Sequence, residues 1–108
     1  GRVSIEWISQ VPPLICDHDL VESVIGYMKE LPVPGLAFYP GVTASASEDF
    51  SIVAEKIPSA FIYLSSGFSD QRGEYPAHNP KAMFNEDVCP NGAAFLTHCA
   101  KRWLEDHA

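Results

Sequence analysis

The feature that most limits this chain is the placement of its nine prolines, at 12, 13, 32, 34, 40, 58, 76, 80 and 90. A proline lacks an amide hydrogen, fixes its own φ, and biases the residue before it away from helix. Every helix or strand must therefore fit in the gaps between these positions. The longest gaps are 14–31, 41–57, 59–75 and 91–108.

Each gap has its own pattern. In residues 2–8 (RVSIEWI), Val3, Ile5 and Trp7 alternate with Arg2, Ser4 and Glu6, which predicts a half-buried strand ended by Pro12-Pro13. Asp17 or Asp19 can cap a helix in which Leu20, Val24 and Met28 share a stripe with Val21 and Ile25 alongside, stopping before Pro32. Residues 35–39 (GLAFY) predict a short strand closed by Pro40-Gly41. Ser45 and Glu48 have capping-box spacing, with Ser47 a competing cap, and predict a short helix over 48–57 that Pro58 stops. Residues 60–64 (AFIYL) form a continuous apolar run, as in a strand covered on both faces. Residues 65–84 show no period, and a loop this long is usually functional or disordered. A final helix is expected from Asn85 or Asp87 to about His107, with Pro90 in its first turns. In it Val88, Gly92, Leu96, Ala100 and Leu104 fall four apart, flanked by Phe95, Cys99 and Trp103. Alternating helices and strands give the chain an α/β character.

Hydrophobic residues make up 46% of the chain, enough to build a core. The net charge of −7 argues against nucleic acid or an anionic membrane as partner, because both attract basic patches. No apolar run approaches the ~20 residues that span a bilayer, and no signal peptide opens the chain. Cys16, Cys89 and Cys99 are odd in number and widely spaced, which fits reduced thiols in the cytoplasm.

His78 is the leading candidate for chemistry. It stands in Tyr75-Pro76-Ala77-His78-Asn79-Pro80, where flanking prolines can hold a side chain in place, and neutral imidazole is the commonest metal ligand. Taken alone it also reads as a surface loop histidine. Ser47-Glu48-Asp49 offers two carboxylates for a metal or a substrate cation, or simply a capped helix start. Asp17-His18-Asp19 is explained by capping, since adjacent residues rarely converge on one ion. His98 and His107 lie nine apart and are expected to be solvated. Ser66 lacks a nucleophile elbow, and Cys99 falls on the packed side of the last helix.

In combination these pieces resemble a known family. Ala46-Ser47-Glu48-Asp49-Phe50-Ser51 is similar to the S-E-D-F-S motif of dinuclear-metal amidohydrolases of the hippurate hydrolase and aminoacylase kind. The run Ala60–Leu64, the loop with His78-Asn79-Pro80, and the small-residue helix start Asn85–Ala94 follow in the family's order over about residues 44–106. More loosely, Val3–Trp7 and Val11-Pro12-Pro13 resemble the last strand of the family's inserted lid domain and its return linker. Cys16-Asp17 stands where family members often have an Asn-Asp pair.

The resemblance implies an α/β fold. Residues 16–108 would be the C-terminal portion of a zinc-peptidase-like catalytic domain, three-layer α/β/α, and residues 1–15 the end of the lid domain. It implies hydrolysis of N-acyl amino acids or small peptides by two divalent ions, zinc or manganese, which polarise the amide carbonyl and activate a water. His78 would be a metal ligand, and Ser47 and Glu48 would lie beside the substrate. The general base and the other ligands would come from an upstream N-terminal part of the same protein. The chain alone would then be inactive, or a non-catalytic binding or assembly module derived from the family. A homodimer is a further implication of the lid domain.

Overall fold

The computed structural model describes residues 1–108 and contains three α-helices. Helix α1 spans His18–Lys29. Its start follows local chemistry: the Asp17 carboxylate accepts from the Leu20 amide at 2.9 Å, satisfying a donor that the first turn leaves orphaned. It unwinds through turns from Tyr27 to Glu30 and Met28 to Leu31, just before Pro32.

Helix α2 is regular only over Ser51–Ala54, inside the predicted 48–57. Glu48 does not complete a capping box with Ser45; its carboxylate turns onto the Phe50 amide at 3.1 Å. Phe50 stands at the N-cap without a side-chain bond, while helical bonding reaches as far as Ile57. Helix α3, Cys89–Asp106, follows a 3-10 turn over Glu86–Val88 that Asn85 caps by accepting from the Asp87 amide at 3.0 Å. Pro90 falls in the first turn of α3, where its missing amide hydrogen costs nothing.

The strands expected at 2–8, 35–39 and 60–64 are not formed, and no residue of the chain pairs as a strand. Alternation or continuous apolarity makes a segment fit for a sheet, but a ladder also needs a second segment to exchange hydrogen bonds with. None of the three finds one within these residues. The α/β layering and the lid-domain strand are therefore absent from the chain by itself.

The chain divides into two compact units: residues 1–25 with 37–61, and residues 26–36 with 62–108. In the first, the Asp17 amide donates to the Ser59 carbonyl at 2.8 Å and the Phe61 amide to Cys16 Sγ at 3.3 Å. The rings of Phe50 and Phe61 pack 5.6 Å apart. Ser51 and Ser59 are buried there, Ser51 completely. In the second, Tyr27, Met28, Phe95 and Cys99 form the buried apolar core. Cys99 lies on the packed side of α3 as expected, together with Phe95, while Leu96, Ala100 and Leu104 of the four-apart stripe are exposed.

Candidate functional site

His78 lies in the second unit, in the long loop before α3. Two successive turns shape its surroundings, with the Asn79 amide donating to Pro76 O at 3.2 Å and the Ala82 amide to Asn79 O at 2.9 Å. The Asn79 side chain locks the second turn by accepting from the Lys81 amide at 2.8 Å. His78 alone among the non-glycine residues has a positive φ, of 70°. That left-handed backbone is unfavourable for an L-residue with a Cβ, and such outliers gather at functional positions. The ring is exposed and no hydrogen bond or ion pair engages it.

The rest of the loop holds itself together. Asp70 accepts from the Arg72 amide and pairs with its guanidinium, Nη2 to Oδ2 at 2.6 Å. That side-chain bond holds the Asp70 carboxyl down at about 2. Arg72 also lies 3.8 Å above the Phe68 ring, and Lys81 lies 5.2 Å above Tyr75.

Ser47 and Glu48 belong to the first unit. Ser47 is exposed and unbonded; Glu48 is half-buried and engaged by its own backbone at Phe50. Two clefts open in this unit. One, of about 640 Å³, runs between the linker at Pro12, Pro13 and Cys16 and the segment from Ser51 to Ser59. The other, of about 390 Å³, is lined by Cys16, His18, Val21, Glu22, Pro40 and Gly41. His78, Ser47 and Glu48 line neither of the two. Asp17 works as a cap, and the His18 ring sits 3.3 Å from Asp19 at the surface.

No three His, Cys, Asp or Glu side chains gather into a group able to hold a metal ion. The nucleophile candidates fare no better. Burial raises the Cys99 thiol above its ordinary value, which disfavours the thiolate. At Ser66 the backbone carbonyl is used by the Asn85 amide at 2.7 Å.

The largest polar cluster escaped the sequence. His98 Nε2 meets Glu30 Oε2 at 2.8 Å, Arg102 Nε reaches the same oxygen at 3.1 Å, and the Tyr27 hydroxyl donates to Asp106 at 2.7 Å. His98, expected to be solvated, is thus an anchor. No local pattern signals a pair separated by 68 residues.

The sequence pattern of the Peptidase family M20/M25/M40 matches residues 1–102. The chain belongs to this family. It is 34% identical over 99 residues to the IAA-amino acid hydrolase ILR1-like 2 of Arabidopsis thaliana, covering 91% of this chain and 22% of that protein. With ILR1-like 6 of the same plant it shares 37% over 60 residues, 56% of this chain and 13% of the relative. A probable hydrolase of Synechocystis sp., sll0100, is 29% identical over 62 residues, 57% of this chain and 16% of that protein. The chain thus spans about a fifth or less of the length of these relatives. No solved structure matches it. No helix is long and apolar enough to cross a membrane.

Proposed function

We propose that this chain is the C-terminal segment of a cytoplasmic, metal-dependent amidohydrolase that cleaves the amide bond of N-acyl amino acids or small peptides. The observation that carries the reading is His78: an unengaged imidazole, on a left-handed backbone between two prolines, in a chain of the M20 family. Relatives named as IAA-amino acid hydrolases act on amides of an amino acid, which supports the substrate class.

The donors within these residues do not suffice for a metal ion. A catalytic zinc takes three protein ligands, and no three His, Cys, Asp or Glu side chains of this chain gather; of its exposed histidines, His18 pairs with Asp19 and His107 bonds the Trp103 carbonyl, which leaves His78. His78 is therefore one donor to a centre of two divalent ions, zinc or manganese, whose other ligands come from the upstream polypeptide. There residues 16–108 complete a three-layer α/β/α catalytic domain, and residues 1–15 are the end of the lid domain and its return linker. Ser47 and Glu48 lie beside the substrate in this reading.

The test is His78→Ala in the full-length protein. Metal content and amide hydrolysis both fall; wild-type values for both would overturn the assignment. The missing donor group also favours a second reading, a non-catalytic assembly module. Metal content and amide hydrolysis of the full-length protein separate the two: both present support the enzyme, both absent the assembly module.

A further inference from the structure

His78 holds a backbone that an L-residue rarely keeps without support, and two linked turns supply it. The first turn, over 76–79, is closed by the Asn79 amide donating to Pro76 O at 3.2 Å. His78 is its third residue, with a φ of 70°, while Ala77 before it has no positive φ. Of the common turns only type II has a positive φ at the third position alone, and that position favours glycine or asparagine. Histidine tolerates the left-handed region better than most residues, but it does not seek it.

The second turn, over 79–82, begins where the first ends. The Ala82 amide donates to Asn79 O at 2.9 Å, and Pro80 takes the second position, where its fixed φ fits. Asn79 is shared by both turns, and it is half-buried while His78 beside it is exposed. Besides its amide and carbonyl, its side-chain oxygen is used, accepting from the Lys81 amide at 2.8 Å. That bond is an Asx turn, which asparagine makes through its own side chain. Lys81 also reaches back, its Nζ 5.2 Å from the centre of the Tyr75 ring, so the two ends of 75–81 are drawn together. The prolines do not do this work alone. Each fixes its own φ, and Pro80 restricts Asn79 before it, but neither constrains the φ of His78 directly.

We propose that Asn79 is the positioning residue of His78. Its carboxamide oxygen fixes Lys81, which sets the second turn, and the Asn79 amide is thereby aimed at Pro76 to keep the histidine backbone left-handed. The purpose of this device rests on reading His78 as a metal ligand; its geometry does not. A donor held in place before the ion arrives loses less freedom on binding.

Asn79→Ala removes the acceptor, and Asn79→Ser keeps a weaker one. In full-length protein with labelled histidine, the His78 resonance is assigned by its absence from His78→Ala, and its backbone coupling constants report the sign of φ. Asn79→Ala should lose the positive φ, and Asn79→Ser should retain it in most molecules. Zinc affinity of the same proteins, read by competition with a chelator, should fall about 10-fold in Asn79→Ala, the scale for groups that orient a ligand, and recover in part in Asn79→Ser. A positive φ that survives in Asn79→Ala overturns the proposal. So does a loss in Asn79→Ser as large as in Asn79→Ala, which would place the effect in side-chain volume rather than in the acceptor. Zinc affinity unchanged in Asn79→Ala, where His78→Ala loses the metal, overturns it as well. The ligand reading fails separately: wild-type zinc affinity in His78→Ala sinks that assignment, and the coupling constants still decide the role of Asn79.

Discussion

His98 and Glu30 meet through a 2.8 Å contact that ties the middle of α3 to the turn immediately after α1. The hydrogen bond from His98 is the main reason that the Glu30 carboxyl titrates below its ordinary value of 4.5, with Arg102 adding to it. A depressed folded-state value means that the ionised carboxylate stabilises the fold above pH 4.5. That contribution is lost as pH falls through the lowered value. Thermal unfolding followed from neutral pH down to about pH 3 will show the transition dropping across this window. Glu30→Gln will lower the transition at neutral pH and flatten its acid dependence.

The Asp70 carboxyl is held down as well. Its ordinary value of 3.8 falls to about 2 beside Arg72, so the pair persists until the pH falls to about that value. Asp70→Asn removes the pair and its grip on the loop. Proteolysis between residues 68 and 75 should then accelerate at neutral pH, with α3 helicity unchanged.

Ser51 is fully buried, and its hydroxyl has no hydrogen-bond partner. An unsatisfied buried polar group costs roughly 1–3 kcal/mol. Ser51→Ala should therefore stabilise the chain, by about 1 kcal/mol in a urea titration. A loss of stability would show that the hydroxyl is satisfied in solution.

Gly73 closes the 3-10 turn over Gln71–Gly73. A Cβ at this position would sit 2.1 Å from the Phe68 carbonyl oxygen, and backbone has to move to admit it. Gly73→Ala should cost about 1–3 kcal/mol, the range for overpacking. Gly67→Ala, whose Cβ would meet nothing within 4 Å, is the matched control and should be nearly neutral.

His78→Gly separates folding from ligation. Glycine takes a φ of 70° without the left-handed penalty of roughly 1–2 kcal/mol borne by other residues. The variant should be at least as resistant to urea as the parent. Metal content of the full-length His78→Gly protein should nevertheless fall, as it does for His78→Ala.

Much of the local structure was legible in the sequence. Asp17 caps α1, Asn85 caps the turn into α3, Pro90 enters its first turn, and 65–84 is a loop without a long element. His78 stands out in the sequence by its prolines and in the structure by its backbone. The helix after the S-E-D-F-S motif was legible only in outline, because Glu48 accepts from the Phe50 amide and does not close a capping box with Ser45. Short-range competition of this kind leaves no mark in residue spacing.

The sequence by itself determined where helices begin, where prolines stop them, and which family the motifs resemble. Those features depend on residues within a few positions of one another, where chain connectivity already supplies the proximity. Only the tertiary structure decided that the Leu96–Ala100–Leu104 stripe of α3 stays exposed, and that His98 grips a carboxylate 68 residues away. It also decided that the three apolar segments form no strand. Each of these outcomes depends on which distant surface arrives, because burial and strand pairing require a partner that spacing along the chain does not name.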